Sequence, residues 1–491
     1  MKRDDWLCMV LAISVVLAGI AACDSALPDS RASGPSPTAS LPKPEPPMSS
    51  PQPSRSIPSE ASGPTFKWSL WTGGTRLRGA NIYQRRVYPQ LDGLEFMGPG
   101  PVGPPYTQAD FDGLAAMGAN YVDISHPGLF AEEPPYALDA DIQANLDNLL
   151  AMASQAGLFA VITFRTGPGR SEFWAFWGED TASDPQNGWF DPSYYNNRIW
   201  GERAAQDAWA AMWRYTAERY RDNPVVAGYD LMCEPNSNDV GSYPLGDALD
   251  IWDPVEFYAQ YGGTLYDWNQ LHPRIVAGIR QVDSATPILV GGMAYSAVEW
   301  LPYLQPSGDP RTVYAVHQYA PHNYTHQEAD AVECSYPGWC DLDWGGQNDD
   351  WLDLAWVDGL LSTVDDFAAS HGAPLVVNEF GVMRWVPGAA EFMADEMDLF
   401  EQRGLNHALW VWEPAWELWN QEVDAFNFRH GPDPGNHADV PSSDLMDVIR
   451  DHWSRNTIRP PLAPTSTIYL PLVATGTNAQ LKPAPLDQVL E

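Results

Sequence analysis

Two glutamates in this 491-residue chain directly follow short apolar runs. One closes Gly228-Tyr229-Asp230-Leu231-Met232-Cys233-Glu234, ahead of Pro235-Asn236. The other closes Pro374-Leu375-Val376-Val377-Asn378-Glu379, ahead of Phe380-Gly381. A lone carboxyl at a strand end serves equally well as the partner of an arginine; two of them form a more specific pattern. Carboxyls about 5–5.5 Å apart, one ionised and one protonated, hydrolyse a glycosidic bond with retention. The first attacks the anomeric carbon, and the second protonates the leaving oxygen and then activates water. A third run, Val313-Tyr314-Ala315-Val316-His317-Gln318-Tyr319, delivers an imidazole and a phenol in the same manner. The plainer reading of His317 and Tyr319 is a buried strand-end pair with local partners.

Such residues need a scaffold that gathers distant strand ends onto one rim. Eight apolar runs, at 77–82, 120–125, 159–164, 226–232, 288–292, 313–317, 375–378 and 407–412, alternate with helical patterns. Several are continuous apolar segments of the kind buried on both faces of a parallel sheet. Helical periodicity follows over 108–117, 142–156, 204–220, 268–281, 352–370, 388–402 and 442–454, with a short, weakly helical connection at 294–305. This alternation predicts right-handed βαβ units and an α/β fold, a single (β/α)8 barrel. No glycine-rich phosphate loop follows any run, which disfavours an open doubly wound sheet. A barrel keeps its chemistry where strands end. Four loops there are long and aromatic: 165–203, 235–265, 318–350 and 413–440. They carry Phe173, Trp174, Phe176, Trp177, Trp189, Phe190, Tyr194 and Tyr195, then Trp339 and Trp344, then Trp416, Trp419 and Phe426. Most of these rings would pack the loops together, and a few lining a cleft would stack on pyranose faces.

From residue 77 to 453 the chain resembles glycoside hydrolase family 5, the cellulase and mannanase family of the large clan of retaining (β/α)8 glycosidases. The two glutamates, Arg78-Gly79-Ala80-Asn81 on strand one, His317 and Tyr319 on strand six, and Trp412 ending strand eight carry the resemblance. It implies Glu234 as acid/base and Glu379 as nucleophile. It further implies Tyr319 as hydrogen-bond donor to the nucleophile, His317 close to the acid/base, and Trp412 as the floor beneath the reacting sugar. The expected reaction is retaining hydrolysis of a β-linked glycan, first a β-1,4-glucan, then a β-mannan or another β-glycoside. A non-catalytic, surface-displayed glycan-binding protein using the same cleft is the reading from another class. No cofactor and no metal are expected. His317, His322 and His326 lie outside any helical His-Glu-x-x-His context. Asp341, Asp343, Asp349 and Asp350 lack EF-hand spacing.

Three positions depart from the family pattern. Cys233 stands where the family has an asparagine that hydrogen-bonds the sugar 2-hydroxyl, and a thiol is a weak donor. Asp123, within Val122-Asp123-Ile124, stands in place of an arginine on strand two. Strand three ends Ile162-Thr163-Phe164-Arg165 rather than in a histidine. The arginine reads as moved one strand over, with Asp123 orienting Arg165 and His126 replacing the missing imidazole. In the plainer reading Asp123 and Arg165 form an ion pair that braces the rim. Lost activity is a third reading, against which the presence of both glutamates weighs.

Composition bounds these readings. The 64 acidic against 27 basic side chains give a formal net charge of −37. This argues against nucleic acid and an anionic membrane surface as partners, since both need a cationic face. The 22 tryptophans and 21 tyrosines suit neutral, flat-faced ligands, so the expected partner is a carbohydrate, bound by a monomer. At the N-terminus Lys2 and Arg3 precede an apolar run that ends Ile20-Ala21-Ala22-Cys23. This resembles the lipobox of bacterial lipoproteins, cut before Cys23, which then carries the lipid. An ordinary cleaved signal and a short membrane anchor are the alternatives. Residues 24–65 hold 11 prolines among Ser and Ala, and such a segment stays extended and solvated. The expected organisation is a signal over 1–22, a lipidated cysteine and linker over 23–65, the barrel over 66–456, and a Pro-rich tail over 457–491. The protein would then be extracytoplasmic, anchored to the bacterial membrane through the lipid alone, or secreted. Cys334 and Cys340 bracket Ser-Tyr-Pro-Gly-Trp as an expected disulfide. With Cys8 lost in the signal, Cys233 is left unpaired.

Overall fold

Eight strands pair side by side in chain order and close on themselves, all parallel. They are β1 (Arg78–Tyr83), β2 (Tyr121–Pro127), β3 (Phe159–Thr166), β4 (Val226–Asp230), β5 (Ile288–Gly291), β6 (Thr312–Gln318), β7 (Leu375–Phe380) and β8 (Asn406–Leu409). This computed structural model describes residues 64–92, 97–172, 196–241, 249–342, 345–416 and 421–461. The (β/α)8 barrel read from the alternation is the observed architecture. Helices α1 (Gln108–Ala116), α2 (Ala140–Ala156), α3 (Arg203–Tyr220), α4 (Trp268–Arg280), α5 (Leu354–His371), α6 (Ala389–Gln402) and α7 (Asp444–Ser454) fill the connections. After β5 the weak helical signal corresponds to a 3-10 turn at Val298–Tyr303.

Local chemistry sets several helix ends. Asp139 caps α2 by accepting from the amides of Asp141 and Ile142, and Gly157 ends it at φ 71°, where a side chain would be strained. Asp353 and Gly372 do the same for α5.

The period-2 alternation of the strands divides the core. Outward residues such as Val122, Ile124, Ile162 and Val377 pack on the helix layer with Leu146, Trp213, Ile275 and Phe400. Inward residues near the strand starts, including Tyr121, Phe159, Val161, Leu289, Val313 and Val376, form a separate apolar plug. The segment before β1 closes that plug from below. Leu70 and Trp71 are buried in it, the Trp71 indole donates to Ala227 O at 3.0 Å, and Asn406 Nδ2 donates to Leu70 O at 2.8 Å. Above the plug the inward positions turn polar: Asn81, Asp123, Thr163, Asp230, His317 and Asn378, all buried. That change of chemistry marks the functional end of the barrel.

Candidate active site

Glu234 and Glu379 meet at one nitrogen. His317 Nδ1 lies 2.8 Å from Glu234 Oε1 and 2.7 Å from Glu379 Oε2. A carboxylate oxygen of each glutamate and the Cys233 sulfur all lie within 4.8 Å of one another. Burial works against a charge on His317, but the Glu379 charge and hydrogen bonds to both glutamates outweigh it. The imidazole pKa is therefore raised well above its ordinary value, and the ring carries a proton between two acids. Two oxygens this close, one side chain nearly buried and the other 15% exposed, can flank a bond on opposite sides of a sugar ring.

Glu234 reaches this position through an uncommon backbone. Strand β4 stops at Asp230, and Glu234 sits at φ 55°, in the left-handed region that costs a non-glycine residue ~1–3 kcal/mol. Arg170, 1% exposed, holds it there. One of its nitrogens donates to Arg165 O at 2.6 Å and Cys233 O at 2.7 Å, and the other donates to Glu234 O at 2.7 Å. Arg170 escaped the sequence reading because it lies in a loop with no motif. Its only signal was a basic residue in a chain poor in them.

On β7 the pairing with β6 shifts by one residue, so that His317 stands beside Glu379. Asn81 fixes that bend: its amide donates to Asn378 O at 2.9 Å and to Ala408 O at 3.3 Å, tying β1, β7 and β8 together. Asn81 thus supports the backbone that presents Glu379.

Asp123 lies one layer deeper than expected and does not orient Arg165. It accepts from Tyr121 OH at 2.9 Å and from Thr163 Oγ1. Burial raises its pKa to about 7, against the two hydrogen bonds, and the Glu379 charge adds to the rise. Asp230, two strands along, is also raised, by burial and by Asp123. Below about pH 3.8 the proton is bound in both folded and unfolded chains; between 3.8 and about 7 only the folded chain keeps it. The raised pKa therefore contributes stability at low pH that is lost as pH rises through about 7. Asp123→Asn is expected to remove this dependence. The melting temperature of the variant should gain on the parent between about pH 4 and pH 8, by the equivalent of a few kcal/mol. A difference independent of pH would show that Asp123 ionises as an ordinary carboxyl.

The guanidinium of Arg165 does enter the mouth. It pairs with Glu172 at 3.0 Å, donates to Ser125 Oγ at 3.2 Å and reaches Cys233 Sγ at 4.0 Å. It also lies over the rings of Tyr83 and Trp410, at 5.0 and 5.6 Å. Its carboxylate partner is Glu172, seven residues on, which the sequence reading passed over. His126 is a correction. Alternation puts Tyr121, Asp123 and Ser125 inside and His126 outside, where its ring nitrogens lie 2.6 Å from Pro127 O and 2.9 Å from Asn145 Oδ1 of α2. Burial lowers its pKa to about 4, so it is a neutral packing residue rather than a replacement imidazole.

Trp412 is a second correction. Strand β8 ends at Leu409, the Trp410–Val411 peptide is cis, and the two rings part. Trp412 turns toward α1, donating to Asp110 O at 3.0 Å with the Arg429 guanidinium 4.2 Å above its ring. Trp410 takes the inner position, edge-on to Tyr83 at 5.9 Å. Alternation from Ala408 puts positions 410 and 412 on one face, so only the end of the strand at Leu409 separates the two rings. Tyr319 is half-buried, its ring against His322, His326 and Phe426. His322 is exposed and His326 is half-buried beside it, the two rings 4.9 Å apart. Cys233 is buried and in no disulfide, and burial with the two nearby glutamates raises its thiol pKa well above the usual range. It stays a neutral thiol.

Cys334 and Cys340 are bonded to each other, Cα atoms 5.1 Å apart. Phe173, Trp174, Phe176, Trp177, Trp189, Phe190, Tyr194, Tyr195, Trp344 and Trp419 lie outside the described residues, as do Cys8, Cys23 and Asp343. A further cluster of potential ligand atoms, Glu413, Asp424 and His430, is already hydrogen-bonded, and Arg384 sits 3.0 Å from Asp424, where its charge would repel a cation.

Residues 80–415 match the model of the family described as Cellulase (glycosyl hydrolase family 5). Over 238 residues the chain is 23% identical to a β-xylosidase of Phanerodontia chrysosporium, covering 46% of this chain and 41% of that protein. Over 200 residues it is 23% identical to cellodextrinase A of Ruminococcus flavefaciens, covering 41% of this chain and 48% of that protein. The chain thus spans less than half the length of either relative. Among solved structures it superposes on a glycoside hydrolase with a TM-score of 0.53 at 19% identity, over 77% of this chain and 99% of that one. It also superposes on endoglucanase Cel5A of Pseudomonas stutzeri with a TM-score of 0.51 at 18% identity, over 79% and 98%. At these identities the likeness speaks for the fold alone.

Proposed function

Because the chain belongs to glycosyl hydrolase family 5, the cellulase family, we propose that it hydrolyses a β-linked glycan by double displacement, with Glu379 as nucleophile and Glu234 as acid/base. The observation that carries this reading is the convergence of both carboxylates on His317, with oxygens within 4.8 Å of each other. Inverting pairs stand about 6.5–9.5 Å apart to admit a water; a closer pair leaves room only for direct attack. In the first step Glu379 attacks the anomeric carbon while Glu234 gives its proton to the leaving oxygen. Forming the glycosyl ester consumes the Glu379 charge. In the second step water attacks the anomeric carbon and gives a proton to Glu234, while the ester bond breaks and releases Glu379 as a carboxylate. Trp410, held beside Tyr83 and Arg165, is the ring we assign to the floor under the reacting sugar, in place of Trp412.

A β-1,4-glucan is the first substrate and a β-mannan the second. The cellodextrinase relative favours glucan, and the xylosidase relative adds xylan to the set to be tested. Turnover of one glycan from a panel of β-glucans, mannans and xylans, with reducing ends that retain the β configuration when first released, would support the assignment. Release of the α anomer would overturn the double displacement. Binding without turnover of any glycan would favour the non-catalytic reading.

We also propose that the protein works outside the cytoplasm on a lipid carried by Cys23, a reading that rests on Ile20-Ala21-Ala22-Cys23 and the proline-rich stretch behind it. Cys23→Ser is expected to shift the protein out of the membrane fraction or to leave its signal uncut. Unchanged fractionation and processing would end the lipoprotein assignment.

A further inference from the structure

The loop between β6 and α5 carries a small ribbon that nothing in the reaction uses. Gly338–Cys340 pairs antiparallel with Asp350–Leu352, which sets Trp339 directly opposite Trp351. The two indoles meet at 5.3 Å and 74°, and they are 57% and 46% exposed. Leaving that much apolar surface in water forgoes the ~25 cal/mol per Å² that burial would return, and the barrel core gains nothing from it.

The ribbon is built to hold the pair still. The Cys334–Cys340 bond closes its base, and Gln327 Oε1 accepts from the amides of Glu333 and Cys334 at 2.7 and 2.6 Å. A Cβ at Gly338 would meet Ser335 O at 2.5 Å, so only glycine fits the turn. Trp351 Nε1 donates to Asp353 Oδ2 at 3.1 Å, fixing that indole against the N-cap of α5. In such a pair one ring can present its face while the other braces its edge.

The surroundings define what could land there. Glu333, Asp341, Asp349, Asp350 and Asp353 ring the ribbon, a field that turns away anionic polymers and lipid surfaces. The ribbon belongs to the loop that follows β6, at the same end of the barrel as the catalytic pair. Asp341 and Leu342, just past Cys340, line a small cavity with Pro321, His322 and Glu299, and the His322 ring lies 6.2 Å from that of Tyr319, two residues beyond His317.

We propose that Trp339 and Trp351 form a second binding platform for a neutral β-linked glycan chain, holding one stretch of a polymer whose other stretch occupies the catalytic mouth. The proposal rests on the hydrolase reading for its ligand class. Sugar C–H faces stack on the exposed indole, and because the ring is already fixed, little freedom is lost on binding.

Trp339→Ala and the Trp339→Ala/Trp351→Ala double variant test it, run in native gels cast with hydroxyethyl cellulose, galactomannan or arabinoxylan. Both should keep the parental melting temperature, since the rings are exposed. Retardation should fall toward that in polysaccharide-free gels, and KM for the polymer should rise about 3- to 10-fold while kcat and all constants for a short aryl oligosaccharide stay put. Retardation that depends on Trp339, without cleavage of any glycan, would sink the hydrolase reading and leave the platform standing. Cleavage with retardation and polymer KM unchanged in the variants would overturn the platform alone. Absence of retardation in the parent protein would overturn it too, as would variants that change only the sedimentation of the protein.

Discussion

Glu379→Ala is expected to lose hydrolysis by ~10⁴-fold or more while oligosaccharide binding stays close to that of the parent. The carboxylate, on a side chain 7% exposed, is replaced by a methyl group, so no atom remains to attack the anomeric carbon. Loss of one anion from beside His317 costs the imidazolium a partner, yet Glu234 still holds it at 2.8 Å, so the fold should survive. Glu234→Ala should behave differently. Removing a general acid costs about 10²–10⁴-fold on glycans with poor leaving groups. On an aryl glycoside with an activated leaving group, the first step needs no proton, so a glycosyl-enzyme should accumulate and appear as a burst. Added azide separates the two further. In Glu234→Ala it should restore turnover and give a β-glycosyl azide; in Glu379→Ala it should enter from the vacated side and give the α product. Undiminished turnover of Glu379→Ala would end the assignment of the nucleophile. Identical products from both variants would mean that the two roles are wrongly divided.

Arg165→Met should cost stability first, by about 3–5 kcal/mol, because it strands Glu172, whose side chain is 1% exposed. Arg165→Met/Glu172→Gln removes both charges and should recover most of that loss. The same pair of variants separates bracing from electrostatics. With Arg165 gone, an uncompensated anion sits close to the site, which raises the pKa of a neighbouring carboxylate; the acidic limb of the pH–rate profile should move up. In the double variant it should return toward the parent. An acidic limb that never moves would make the Arg165–Glu172 pair a brace alone, and a double variant as unstable as the single one would show that stacking on Tyr83 and Trp410 outweighs the ion pair.

Legibility differed between levels of structure. The eight strands announced themselves because both faces of a barrel strand are covered, which leaves continuous apolar runs with few competing readings. The two glutamates were visible because each directly follows such a run. What failed was counting along the ends of strands. His126 was placed on the rim although it is odd in the alternation that puts Asp123 inside. Trp412 reads as the end of strand eight because the apolar run continues through it, and the main chain does stay bonded to its neighbours there, Trp410 N donating to Phe380 O and Trp412 N to Asn81 O at 2.8 Å, although the regular strand stops at Leu409. Asp123 and Arg165 were read as partners because they have opposite charge on adjacent strands, but they stand in different layers, and each finds a nearer group: Thr163 and Tyr121 for one, Glu172 for the other. Arg170 shows a deeper limit. Its role is to satisfy main-chain carbonyls of Arg165, Cys233 and Glu234, and carbonyl directions leave no trace in residue types.

The plug under the barrel has a topographic consequence. The chain comes in beneath the strand starts, with Phe66, Trp68, Leu70 and Trp71 against the inner core, and on its way out Ile458 packs on the same core while Asn120 Nδ2 bonds to Ile458 O at 3.1 Å. Both junctions therefore lie at the pole opposite His317 and the two glutamates. Anything joined ahead of residue 64 or behind residue 461, whether a surface attachment, a reporter or a second module, is grafted at the antipode of the opening. Held by either end, the molecule can present its opening outward.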